Sequence, residues 1–143
     1  MSTEANKGTL RRMIYEVITG GNLALMDELV APDFLNHNVV GTGEASHNEG
    51  IESFRQEIAA VRQAMPDIEM EIIHLLADGD YVVAHVRGHG THNGSFGGIA
   101  PTGRKLVTDS ISIVRLANGK LAERWNLVDR YGALQQLGVF PGQ

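Results

Sequence analysis

The sequence predicts an α+β domain in which helices pack on one face of a curved antiparallel sheet. Three observations carry this reading. The stretch up to Met65 places apolar residues at helical spacing, most regularly Ile51, Phe54, Ile58, Val61 and Met65. From Ile68 onward the period shortens to two or to continuous apolar runs, as in IEMEIIHLLA and YVVAHVRGHGTH. Two further strand-like runs between Arg104 and Val128 are joined by Asn118-Gly119, the strongest short hairpin signal.

The first predicted helix runs from Thr9 to Thr19, with Leu10, Met13, Ile14, Val17 and Ile18 on one face and Gly20-Gly21 ending it. Tyr15 lies beside that face, where its ring can pack while its hydroxyl reaches a cavity or water. Asn22 is placed to cap a second helix through Val30, and Pro32 forces the chain out of it. The chain then turns extended at Phe34 and Leu35 and reaches Asn36-His37-Asn38, three hydrogen-bonding side chains beside apolar residues, before a loop over 39–46. A histidine there is either a satisfied structural residue or a proton carrier, since its pKa suits transfer near neutrality. Ser46-His47-Asn48-Glu49 reads as a capping box for the third helix, which Pro66 closes.

The strands that follow form one hairpin turning at Asp78-Gly79, then the glycine-rich loop 93–103, then a second hairpin. That hairpin admits two registers. A two-residue turn sets Ser112 against Trp125, whereas a three-residue loop with a bulge at Gly119 sets Ser112 against Arg124 and Ser110 against Asn126. The bulge separates the faces more cleanly and is the register expected: Thr108, Ser110, Ser112, Arg124 and Asn126 on one side, and Val107, Ile111, Ile113, Leu121, Trp125 and Leu127 on the other. A terminal helix starts near Asp129, whose ordinary role at that position is the N-cap.

Composition narrows the function. The 143 residues fit one domain, 1–143, large enough for a core and a pocket. No apolar run approaches the roughly 20 residues of a membrane span, and the N-terminus has no apolar signal core, so a cytoplasmic location is expected. Cysteine is absent, which excludes thiolate nucleophiles and Cys-held metals. A net charge of −5 without a basic run argues against nucleic acid as a partner.

Several motifs fail on inspection. Gly98-x4-Gly103-Arg104-Lys105 lacks the Lys-Ser/Thr and the helix of a phosphate loop. His85, His89 and His92 lie on a strand, where four residues span about 13 Å, too far for one zinc, so no metal is expected. His85 and Arg87 share a face and suit a surface or subunit contact. There is no Gly-x-Ser-x-Gly elbow. Proton-transfer chemistry by histidines and carboxylates among apolar residues remains, with Asp109 needing a partner such as Arg87, Arg104 or Arg124.

The segments DELVAPDFLNHN, GTHNGSFGGIAPTGRK and NGKLAERWNLVDRYGALQQLG, in this order and spacing, resemble the SnoaL-like polyketide cyclase family of the NTF2-like superfamily, over nearly the whole chain. The resemblance implies an NTF2-like cone with a deep, mostly apolar pocket, frequently in a homodimer or larger homo-oligomer. It also implies closure of a ring in an aromatic polyketide ester by intramolecular aldol condensation, without metal or organic cofactor. The acid/base aspartate of that chemistry aligns with Asn126 here, and a histidine on the preceding strand with Ser112. A neutral amide cannot act as base, although it can donate a hydrogen bond to an enolate oxygen.

The expected catalytic residues are therefore His37 or Asp129 as base and Asn126 or Arg124 as oxyanion donor. Tyr15, Phe54, Met65, His92, Ile99, Ser112, Arg124 and Trp125 are expected around a small apolar carbonyl compound. Alternatives from the same residues are a binding protein that kept the pocket and lost the base, a dimerising scaffold, or an epoxide-hydrolase-like enzyme, although VVAHVRGH lacks the Arg-x-Asp spacing of the last.

Overall fold

The computed structural model describes residues 2–39 and 45–139. Helix α1 (Thr3–Arg12) starts six residues before the expected Thr9, because Ser2 caps it by accepting from Ala5 N–H at 3.1 Å. It continues as a π-helical stretch, Met13–Thr19, in which Gly20 N–H reaches the Tyr15 carbonyl at 3.0 Å. Leu10, Met13, Ile14 and Val17 are buried, so the predicted face is the one that packs.

Asn22 makes no side-chain cap. A 3₁₀ turn at Leu23–Leu25 leads instead into α2 (Met26–Leu29), and the chain is already extended at Val30. Strand β1 (Val30–Val39) takes up Pro32, Phe34 and Asn36. Its pairing breaks register between Val30 and Leu35, around Pro32, which has no N–H to give a neighbouring strand. The expected capping box is not a cap: β2 (Ala45–Glu49) pairs antiparallel with β1, whose outer edge recruits these residues. Residues 40–44 of the predicted loop lie outside the described residues. Helix α3 (Ile51–Ala64) then begins after Gly50, held at φ 90°, with Ser53 Oγ donating to the Gly50 carbonyl at 2.9 Å.

Strands β3 (Glu69–Asp78) and β4 (Tyr81–Thr91) form the first hairpin, β5 (Lys105–Ala117) and β6 (Lys120–Val128) the second, and α4 (Arg130–Gln136) closes the chain. The sheet order is β2-β1-β6-β5-β4-β3. All neighbours are antiparallel except β1 and β6, which run parallel and pair Asn36 with Arg124 and His37 with Trp125. The NTF2-like α+β cone is thus present, with β1 and β2 added to the four expected strands.

Neither predicted register of the last hairpin survives intact. Asn118 and Gly119 both have positive φ, 53° and 79°, and Ala117 pairs with Lys120, as in a two-residue type I′ turn. A bulge then falls between Leu116↔Leu121 and Arg115↔Glu123, with Ala122 the extra residue, and brings Ser112 opposite Asn126. The bulge also carries Leu121 to the inner face, where it is 1% exposed, instead of leaving it beside Trp125.

The core lies between the inner face of the sheet and the helices. Val82, Ala84 and Val86 of β4 alternate inward and meet Leu10, Ile14, Phe34, Phe54 and Ile58. At the other end of the inner face, the loop after β4 docks on α3, where Asn93 and Gly94 N–H both donate to the Ala64 carbonyl at 3.0 Å. A Cβ at Gly94 would sit 2.2 Å from the Gln63 carbonyl oxygen, so this approach requires glycine.

Candidate functional site

Between the helices and the inner sheet face lies a cavity of about 50 Å³. Leu10, Met13, Ile14 and Phe54 form its helical wall, and Ala84, Val86, Ser110, Ser112, Val114 and Arg124 its sheet wall. These strand positions share a face because side chains alternate, and the bulge at Ala122 keeps Arg124 and Asn126 on that face together with Leu121.

Among the described residues, Arg124 is the one charged residue lining this apolar space. Its side chain is 14% exposed, and its guanidinium stands 4.9 Å over the centre of the Phe54 ring. Phe54 itself stacks on Phe34 at 4.8 Å. Nη1 of Arg124 donates to Glu57 Oε2 at 2.9 Å and to Asn36 Oδ1 at 3.1 Å, while Asn36 Nδ2 donates to the same carboxylate oxygen at 3.4 Å. Burial pushes the Arg124 pKa down, and the charge and hydrogen bond of Glu57 oppose that shift. Both bonds leave Nη1, so Nε and Nη2 keep donor capacity. The arrangement is a cation with spare donors beside a carboxylate, at the wall of an apolar cavity.

Ser112 Oγ donates to Asn126 Oδ1 at 2.7 Å. This fixes the amide with its Nδ2 donors free to turn elsewhere. Ser112, Asn126 and Arg124 are thus brought together. His37 is not: it pairs with Trp125 across the parallel strands and stacks on that indole at 5.2 Å, on the face opposite Asn126. There its Nε2 meets Glu123 Oε2 at 2.7 Å. Burial raises the Glu123 pKa, but bonds from His37 and Arg115 outweigh this and the carboxyl lies below its ordinary value. Asp129 is exposed and caps α4, accepting from Gly132 N–H at 2.9 Å.

The remaining expected residues are dispersed. Trp125 lies on the outer face, 36% exposed, with Tyr81 on its other side. Tyr15 is 42% exposed, and its hydroxyl accepts from Ile72 N–H at 3.1 Å. Ile99 pairs with Phe96 in a small turn within the loop after β4. Met65 packs over Gly90, and His92 is buried, with its Nδ1 accepting from Thr102 N–H at 3.2 Å.

Sequence reasoning missed Glu57 and gave Asn36 no role. Glu57 follows Phe54 by three residues and precedes Ile58, at the border of the apolar face of α3, which was the available signal. The contact of Asn36 with Arg124 depends on the parallel β1-β6 pairing, and no local pattern announces that.

On the outer face a second ionic group runs across three strands. His74 Nδ1 and His85 Nδ1 are 3.1 Å apart, His85 Nε2 is 2.8 Å from Asp109 Oδ2, and Arg87 Nε donates to Asp109 Oδ1 at 2.8 Å. Arg87 and then His85 lower the Asp109 pKa to about 2. Arg87 is therefore the partner that Asp109 requires. Among the described residues no group of three or more potential ligands is placed to hold a metal, and no helix is long and apolar enough to cross a membrane.

Comparison with known proteins agrees with this architecture. The family model described as SnoaL-like polyketide cyclase matches residues 8–137. The nogalonic acid methyl ester cyclase of Streptomyces nogalater is 29% identical over 114 residues, 79% of this chain and 83% of that protein. The aklanonic acid methyl ester cyclase DnrD of Streptomyces peucetius is 27% identical over 142 residues, 96% and 92% of the two chains. The crystal structure of IdmH from Streptomyces antibioticus, a candidate polyketide cyclase, is 29% identical and superposes with a TM-score of 0.78, covering 94% of this chain and 99% of that one. With a match that spans the sheet, the helices and the Arg124 site, the chain belongs to the SnoaL-like polyketide cyclase family.

Proposed function

We propose that the chain closes a ring in an apolar, polyketide-type carbonyl compound by acid/base chemistry that uses no metal or organic cofactor. The observation that carries this is Arg124 at the cavity wall, a desolvated cation paired with Glu57 behind it at 2.9 Å and ready for a developing oxyanion. Glu57 removes a proton from the carbon beside a carbonyl, and Arg124, with Asn126 as a second donor, holds the enolate oxygen. The carbanion attacks a second carbonyl of the same molecule, forming the carbon–carbon bond. The new alkoxide then takes the proton back from Glu57. Neither bonds nor protons are left over. This reading moves the base from His37 and Asp129 to Glu57, which is the carboxylate in contact with Arg124.

The test is turnover of a panel of β-keto esters and related polyketide esters, read as loss of substrate and appearance of the cyclised product. Glu57→Gln is expected to lower the rate by about 10² or more, and Arg124→Met by a similar factor. Unchanged turnover in both folded variants would sink the mechanism.

A second reading, binding without turnover, is favoured by the neutral amide at Asn126, where the resemblance places an aspartate. It predicts ligand binding that depends on Arg124 with no chemical change, and activity gained in Asn126→Asp. Self-association is part of the proposal as well. Ile111, Ile113, Trp125 and Leu127 stand together on the outer sheet face at 36–58% exposure, an apolar surface suited to a second copy. Sedimentation of Ile113→Lys against the natural chain tests it.

A further inference from the structure

The cavity of about 50 Å³ has room for a few waters, whereas pockets that hold a drug-sized ligand start at roughly 300 Å³. A polyketide-type ligand enters only if wall side chains move. Beyond Ala84 and Val86, which line the cavity, the next inward positions of β4 are Gly88 and Gly90. The space their side chains would occupy is filled by two methionines. A Cβ at Gly88 would lie 3.1 Å from Met70 Sδ, and one at Gly90 would lie 2.9 Å from both Cβ and Sδ of Met65. Met70 also lines the cavity. Methionine is unbranched with three rotatable bonds, so it vacates such space more readily than any other apolar side chain of its size.

The same alternation leads to His92, which continues the β4 ladder through His92 N–H to the Arg104 carbonyl at 2.8 Å. Its side chain is 0% exposed. Because Thr102 N–H can only donate, Nδ1 is the acceptor and the neutral ring carries its proton on Nε2. That Nε2 is buried with no partner among the described residues. A desolvated donor without an acceptor is an exception in folded proteins.

We infer that Met65 and Met70 form a gate that swings off Gly88 and Gly90, extending the cavity along β4, and that His92 Nε2–H reads a carbonyl oxygen at the far end of an elongated, fused-ring ligand. Gly88 and His92 are four strand residues apart, about 13 Å, so the extension suits a long flat molecule more than a short one. The inference rests on the proposed function, with Arg124 holding the reacting end. It makes Gly88, Gly90 and the two methionines determinants of ligand length, and His92 a determinant of where the second carbonyl stands.

Equilibrium dialysis with a three-ring and a four-ring linear quinone carrying the same methyl ester tests it. The natural chain is expected to bind the four-ring quinone about tenfold or more tighter. Gly90→Ala and His92→Phe are expected to remove that preference while changing three-ring affinity by less than about twofold, and Arg124→Met to weaken both ligands. Since His92→Phe can disturb the Thr102 contact, the imidazole N–H resonance of His92 in the natural chain gives an independent reading: it moves downfield with the four-ring quinone and stays with the three-ring one. A preference that survives in Gly90→Ala with an unmoved His92 resonance overturns the gate alone. Failure of the natural chain to bind either quinone overturns the gate together with the function on which it rests.

Discussion

Replacing Glu57 by Gln tests the centre of the site most directly, because it removes the charge facing Arg124 and keeps the side chain's shape. The Gln carbonyl still accepts from Arg124 Nη1 and from Asn36 Nδ2, now 2.9 and 3.4 Å from the carboxylate oxygen. Shape and these two hydrogen bonds are thus kept, and the guanidinium loses its counter-charge. Removing one partner of a fully buried pair costs about 3–5 kcal/mol, whereas an exposed pair contributes about 0–1 kcal/mol. With Arg124 14% and Glu57 33% exposed, the pair stands between these limits, and a loss of about 2 kcal/mol is expected. At an m-value of about 2 kcal/mol/M, the urea midpoint falls by about 1 M. Arg124→Met removes the same attraction, the ring contact with Phe54 and the donor to the buried Asn36 Oδ1. The double variant is therefore expected to be less damaged than the sum of the single variants, by about 1–2 kcal/mol. The assay is urea unfolding followed by circular dichroism for all four proteins. Strict additivity, within about 0.3 kcal/mol, would refute the pairing as the source of the site's electrostatics.

Two further outcomes are expected. Asn6 is 1% exposed and both of its amide atoms are buried without partners among the described residues, so Asn6→Leu should stabilise the fold by about 1–2 kcal/mol in the same urea assay; a loss of stability would show that the amide is satisfied. Asp109, held at about 2 by Arg87 and His85, has a depressed folded pKa, so its contribution is complete above the ordinary carboxylate value near 3.8 and fades as the pH falls towards about 2. The midpoint difference between the natural chain and Asp109→Asn should shrink across that window, and a difference that stays constant would place the Asp109 pKa elsewhere.

Much of the fold is local enough to read from sequence. The helical face Leu10, Met13, Ile14, Val17 and the α3 stripe through Phe54 and Ile58 are buried as their spacing demands, and the strand order from β3 to β6 follows from consecutive hairpins. The failures concern pairing across distance. Ser46 to Glu49 carry a sound capping pattern, yet β1 offers an open edge and the segment serves as its neighbour. Asn118-Gly119 specifies its turn correctly. The bulge at Ala122, three residues on, carries no glycine or other flag, although it decides that Ser112 meets Asn126.

The site was legible in its residue types and illegible in its sides. Trp125, Ile111, Ile113 and Leu127 make the more apolar face of the last hairpin, and burial alone would turn that face inward. The structure does the reverse, sending Ser110, Ser112, Arg124 and Asn126 towards the helices and leaving the indole 36% exposed. Desolvating those polar groups is costly unless each finds a partner, and Arg124 and Asn126 do so through Glu57, Asn36 and Ser112. A hairpin inverted in this way gives up apolar burial on one side and spends hydrogen bonds on the other. The proposed function gives both departures one explanation, in which the inner face meets a polar, carbonyl-bearing ligand and the outer face is covered by another copy of the chain. The two halves of that explanation separate experimentally, since Ile113→Lys should lower the sedimentation coefficient without touching ligand affinity, and Arg124→Met should weaken ligand binding without altering the sedimentation coefficient.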